Sequence, residues 1–266
     1  MKHRLPDGLE MYYEYYPLPN TDKPTLVFLN GLTQSTIAWA FFLNTFKLTH
    51  PILLLDLIFQ GQSDKKGDFR SFEQHAADVK HLADSLGLVS CVPVGISYGG
   101  AVAQRFLVEY NDYCDAGVIL SSFAHKTVYF DALGYSWKRA LQVGGYSLML
   151  DVMLPAVLAP TYFENPLIPI EQMKQMRVGL NEDQEAIIKL MRATETSSDY
   201  RPKLAKVKQK VLVVQGEYDL LTTPAMGKAI ADALPNSDFK VLPHKGHTLN
   251  LEAIGETIAL LQGFLR

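Results

Sequence analysis

The chain has 266 residues, 48% of them hydrophobic and 20% charged, which is the balance of a soluble globular domain able to bury a sizeable core. Its formal net charge of −3 excludes any general electrostatic attraction to nucleic acid or an anionic membrane. Only two cysteines occur, Cys91 and Cys114, so a disulfide framework is excluded and the usage suits a reducing compartment.

The N-terminus, Met1 to Gly8, lacks the apolar h-region of a secretory signal, and a cytoplasmic location is expected. Pro6-Asp7-Gly8 separates two short extended runs, and Met11, Tyr13 and Tyr15 alternate with Tyr12, Glu14 and Tyr16, which predicts a hairpin. Thr25 to Leu29 is a continuous apolar run of strand length ending at Asn30-Gly31. A helix is predicted over Ser35 to Phe46 with Ile37, Phe41 and Phe42 as its apolar positions. Pro51 to Asp56 is a second buried strand; runs apolar on both faces belong to parallel sheets covered by helices. Ser71 caps a helix carrying Phe72, Ala76, Val79, Ala83 and Leu86 at helical spacing, and Gly87 ends it.

Next come a strand over Cys91 to Val94, a Gly-x-Ser-x-Gly turn, a helix over Ala101 to Tyr110, and a strand over Gly117 to Ser121. Pro93 breaks a local rule, because proline removes a ladder hydrogen bond from what should be a central strand. From His125 to Tyr200 the alternation stops. That stretch is rich in aromatic residues and methionine, with helical runs broken at Gly144-Gly145, Pro155, Pro160 and Pro166 to Pro169. Its most apolar part, Tyr146 to Pro160, contains Asp151 and Pro155 and is too short to span a bilayer, so no stable membrane insertion is expected. Alternation resumes with Lys210 to Gly216, a helix over Pro224 to Leu234, a strand over Phe239 to Leu242 and a final helix from Leu251. Strands alternating with helices predict a doubly wound, mostly parallel α/β sheet with an N-terminal antiparallel hairpin. The expected division is a core of residues 1–124 and 203–266 with a helical cap inserted at 125–202.

Gly95-Ile96-Ser97-Tyr98-Gly99-Gly100 has the form of a nucleophile elbow, a serine on a sharp strand-to-helix turn. The Tyr98 N–H, near the helix start, would point where an oxyanion forms. A serine hydroxyl is a weak nucleophile and needs a base, itself oriented by an acid. Asp219 follows the strand ending at Gln215, and His247 follows the strand ending at Leu242, so both lie on loops at strand carboxyl ends. Asp219 also reads as a turn-forming carboxylate. Asp115 and Glu217 are off that position. His244 with His247 forms a His-x-x-His pair, but no third ligand cluster accompanies it and no metal is expected. The basic residues Arg201, Lys203, Lys206, Lys208 and Lys210 fit a solvated face better than a docking site for an acidic carrier.

With this order of motifs the chain resembles the α/β-hydrolase superfamily over nearly all its length except the inserted segment. The resemblance implies Ser97 as nucleophile, His247 as base and Asp219 as orienting acid. It also places Gly31-Leu32 at the oxyanion loop, so that the Leu32 N–H joins that of Tyr98, and assigns Asp56 through Ser63 to a structural loop. Where the family usually has His-Gly, this chain has Asn30-Gly31. Asn30-Gly31, the Asp56 to Ser63 loop and Asp219 to Thr223 are similar to the hydroxyacyl-joining synthases of rhamnolipid biosynthesis. The expected function is a cofactor-independent serine hydrolase, carboxylesterase-like, cleaving a small-molecule ester or thioester with an apolar acyl group. A transferase that esterifies 3-hydroxyacyl groups and a non-catalytic ligand receptor on the same fold are the alternatives. Serine rather than aspartate at the elbow argues against epoxide hydrolase and haloalkane dehalogenase chemistry.

Overall fold

The computed structural model describes residues 1–180 and 183–266. Its strands form one eight-stranded sheet in the spatial order β1-β2-β4-β3-β5-β6-β7-β8. These are β1 (Lys2–Arg4), β2 (Glu10–Tyr16), β3 (Thr25–Leu29), β4 (Ile52–Leu55), β5 (Cys91–Ile96), β6 (Ala116–Leu120), β7 (Lys210–Gly216) and β8 (Ser237–Leu242). The hairpin β1–β2 and the pair β2–β4 are antiparallel, and every other pairing is parallel. Alternate strand residues enter separate cores on the two faces. Val27 and Leu29 pack on one, and Leu26 and Phe28 on the other. Burial on both faces is why these runs read as continuously apolar.

Helices α1 (Ala40–Phe46), α2 (Phe72–Ser85) and α3 (Tyr98–Glu109) come early in the chain, and α8 (Arg201–Leu204), α9 (Pro224–Ala233), α10 (Leu249–Glu252) and α11 (Ile254–Phe264) late in it. A full capping box starts α2: Ser71 accepts the Gln74 N–H while the Gln74 side chain accepts the Ser71 N–H. The apolar positions expected of α1 need correction. A 3₁₀ turn at Thr36–Trp39 precedes it and shifts the helical phase, so Ile37 and Phe41 are 63% and 56% exposed. Trp39, Phe42 and Phe46 carry the burial instead.

Pro93 does lie in a central strand. Cys91 pairs with Cys114 and Val94 with Val118, so the β6 side takes up one extra residue opposite Pro93, where the β5–β6 ladder is interrupted. The missing donor therefore falls in a gap of the ladder.

Between β6 and β7 stand α4 (Val128–Val157), α5 (Pro160–Glu164), α6 (Ile170–Leu180) and α7 (Gln184–Thr196). Helix α4 turns sharply at Gly144 and Gly145, whose backbone leaves helical geometry, with Gly145 at φ 70°. Pro155, expected to end a helical run, does not: α4 continues to Val157. Proline forfeits the bond to the carbonyl of Asp151, and both residues are exposed. At 30 residues α4 is longer than the sequence suggested, and by length and composition alone it could cross a membrane. Here Phe130, Trp137, Leu141, Met149 and Leu150 are buried in the main core.

Candidate active site

Strands β3, β5, β7 and β8 run parallel, so their carboxyl ends share one edge of the sheet, and the loops leaving that edge carry Leu32, Ser97, Asp219 and His247. Ser97 caps α3 with φ 54° and ψ −114°, a conformation that costs a non-glycine residue of order 1–3 kcal/mol. Its neighbours make this possible by lacking side chains. A Cβ on Gly95 would lie 2.3 Å from the Gly99 carbonyl oxygen, and one on Gly99 would lie 2.2 Å from that of Leu29. The elbow is held from β6 as well: the Ser97 N–H donates to Leu120 O at 2.9 Å and Ser122 Oγ donates to Ser97 O at 2.8 Å.

Asp219 is 1% exposed and its carboxylate is fully engaged. Oδ1 accepts the N–H groups of Leu221 and Thr222 at 2.9 and 2.8 Å. Oδ2 accepts Thr222 Oγ1 at 2.8 Å and stands 2.8 Å from His247 Nδ1. Gln215, on β7 beneath them, donates to the Thr222 carbonyl and, at 3.4 Å, to Asp219 Oδ2. One side chain thus makes both the turn's hydrogen bonds and the contact to His247. The His247 backbone is gripped too. Its N–H donates to Val157 O at 2.9 Å, while Glu252 accepts the N–H groups of Gly246 and Thr248 on either side and that of Ala159. Ser97 and His247 line the same small cavity; among the described residues no hydrogen bond joins them.

Asn30, in the loop after β3, stands where the family usually has histidine. That side chain is wholly buried; its amide donates to Leu55 O at 2.9 Å and Asp56 Oδ1 at 3.0 Å, and its oxygen accepts Trp39 Nε1 at 2.9 Å. Asp56 also accepts the N–H groups of Thr36 and Gln62. Burial lifts the Asp56 carboxyl above its ordinary range, against the pull of these hydrogen bonds. Thr33 accepts a hydrogen bond from Tyr146 of α4 at 2.8 Å. Ser63 donates to Asp56 O and accepts the Tyr12 N–H, an entirely structural arrangement. The N–H groups of Leu32 and Tyr98 donate to nothing among the described residues, and both residues line the large cavity beside Ser97.

That cavity has a volume of about 550 Å³. Phe123, Phe130, Trp137, Met191 and Leu221 line it together with Ser97, and so do the charged residues Lys126, Asp131, Lys138, Arg139 and Glu195. His244 lies elsewhere: it is exposed and shares a hydrogen bond with the Tyr218 hydroxyl. Among the described residues no three His, Cys, Asp or Glu side chains are placed to hold a metal. The sequence did not single out Gln60, Gln215 or Glu252, and marked Tyr146 only as one of the aromatic residues of the stretch between β6 and β7. Thr222 was visible only as part of the Asp219 to Thr223 motif, with no role attached.

A model of the alpha/beta hydrolase fold matches residues 24–254. The chain belongs to the α/β hydrolase fold family. It is 24% identical over 253 residues to the putative carbamate hydrolase RutD of Pseudomonas savastanoi pv. phaseolicola, a match covering 91% of this chain and 93% of that protein. Identity with epoxide hydrolase 4 of Mus musculus is 29% over 119 residues, 44% of this chain and only 33% of that longer protein. The crystal structure of MGS-M2, an alpha/beta hydrolase enzyme from a Medee basin deep-sea metagenome library, superposes with a TM-score of 0.88 at 25% identity, covering 96% of this chain and 94% of that one. Within this family's frame the loops described above are those that follow the third, fifth, seventh and eighth strands of the sheet.

Proposed function

We propose that the protein is a serine hydrolase acting on a small ester or thioester with a largely apolar acyl group. Ser97 Oγ attacks the carbonyl carbon and passes its proton to His247 Nε2. Asp219 holds the opposite ring nitrogen as a donor and stabilises the imidazolium. The Leu32 and Tyr98 N–H groups receive the oxyanion, each worth on the order of 3 kcal/mol in the transition state. The alcohol or thiol leaves with the proton from His247, and water repeats the sequence on the acyl-enzyme.

The observation that carries this reading is the 2.8 Å contact between His247 Nδ1 and a fully hydrogen-bonded, buried Asp219, in a histidine that shares a cavity with Ser97. The aromatic and aliphatic walls of the larger cavity support the apolar acyl group. Residues 125–202 act in this proposal as the cap that supplies those walls. A fluorophosphonate probe tests the mechanism: wild type is expected to be labelled and Ser97→Ala not, with kcat falling at least about 10⁴-fold. Labelling of both proteins alike, or of neither, would sink it. A chain-length panel of acyl esters and thioesters, with water alone or with an added 3-hydroxy acid, separates hydrolysis from acyl transfer.

A further inference from the structure

The loop from Asp56 to Ser63 carries one buried side chain that reaches beyond the loop. Gln60 is 2% exposed, and its amide nitrogen leaves the loop to donate to Gly31 O at 2.9 Å and, more weakly, to Leu32 O at 3.4 Å. Its oxygen accepts the Leu57 N–H at 3.3 Å, which fixes the amide's orientation. The preceding residue, Phe59, is buried with φ 78°, an uncommon conformation for a bulky residue. Backbone bonds hold it there: Phe59 N–H to Asp64 O and Gln60 N–H to Leu57 O. The loop thus keeps a strained residue in place beside the one that reaches out.

We propose that Gln60 is a positioning residue for the oxyanion site. Gly31 C=O and Leu32 N–H belong to one peptide unit. A trans peptide is planar, so its C=O and N–H point in opposite directions. Whatever holds the Gly31 carbonyl therefore aims the Leu32 N–H. The Gln34 N–H closes a turn onto the same carbonyl at 3.1 Å, and Gln60 supplies the second hydrogen bond, from a different strand's loop. On the opposite edge of that plane the Leu32 N–H has no partner among the described residues, and Leu32 lines both cavities that Ser97 lines. Donation into the carbonyl also polarises the peptide and strengthens its N–H as a donor. The inference rests on the acyl-transfer reading of the site.

Two variants of the full chain test it. Gln60→Met keeps the volume and removes the donor; Gln60→Glu keeps the acceptor for Leu57 N–H and sets an oxygen against the Gly31 carbonyl. Each is expected to lower kcat about 100-fold with KM within about 2-fold, the pattern of an interaction made only in the transition state. Affinity for a trifluoromethyl ketone, whose bound hemiketal carries the oxyanion, should fall in parallel, whereas affinity for the product carboxylic acid should not. If either folded variant loses thermal stability but keeps wild-type kcat and ketone affinity, Gln60 is merely structural and the proposal is wrong. A wild-type protein that neither hydrolyses esters nor takes the fluorophosphonate would instead overturn the acyl-transfer reading itself.

Discussion

Both oxygens of Asp219 are occupied before His247 is counted. Oδ1 takes two backbone N–H groups and Oδ2 takes the Thr222 hydroxyl, so the carboxylate has no rotational freedom when it meets the imidazole. An amide in its place cannot satisfy this ring of donors, because its NH₂ must face either the Leu221 and Thr222 N–H groups or the edge shared with Thr222 and His247. Asp219→Asn is therefore expected to cost both folding stability and activity, with kcat falling about 10⁴-fold as the histidine loses its orienting acceptor. Steady-state kinetics with an ester from the panel, beside a thermal melt, separates the two effects. Gln215 and Thr222 do their work at this same scale, and neither type of residue stands out in a sequence. A glutamine inside an apolar strand signals only that something polar waits above it.

At the scale of elements, the site is a set of loops clamped to one another. Helix α4 supplies Tyr146 to Thr33 and Val157 O to the His247 N–H, and the Glu252 carboxylate ties Ala159 to the loop around His247. Glu252 accepts three backbone N–H groups and the Thr248 hydroxyl. Removing it leaves half-buried donors without a partner, each costing roughly 1–3 kcal/mol if water cannot reach it. Glu252→Ala is expected to lower stability by about 2 kcal/mol and, on the proposed mechanism, to reduce kcat more than it raises KM, since the change withdraws backbone support from His247. Chemical denaturation and kinetics on one preparation check both. Unchanged kcat in a folded variant would show that Val157 O alone holds the loop.

Across the whole molecule, the balance of charge and burial sets its response to pH. His75 on α2 is wholly buried, packs edge-on against Tyr98 with ring centroids 5.7 Å apart, and has no partner at either nitrogen among the described residues. Burial, with Arg70 nearby, pushes its pKa down to about 3. In the folded protein it stays neutral, whereas an unfolded chain binds a proton there near pH 6.5. The unfolded state holds more protons between those values, so stability is full above pH 6.5 and is lost as pH falls toward 3, by up to about 1.4 kcal/mol per pH unit. His75→Phe removes this loss. Its melting temperature should gain on wild type steadily between pH 6.5 and pH 5, and a constant difference across that range would show that the group is not charged on unfolding.

Sequence alone determined the alternation of strand and helix, the parallel sheet and the order of Ser97, Asp219 and His247, because these depend on local spacing and on the apolar character of buried strands. It marked where the alternation stops but not the shape of the helices there: Gly144-Gly145 bends α4, whereas Pro155 sits inside the helix at an exposed position. The phase of the helix around α1 departs from the periodic pattern because a 3₁₀ turn leaves no periodic mark of its own. Only the tertiary structure showed that Asn30 holds its loop through Asp56 and Trp39, and that Gln60 reaches across to the peptide carrying the Leu32 N–H. Such contacts join residues from different strand ends, and which polar side chain meets which carbonyl is decided by the packing of the sheet edge, where no local pattern records it.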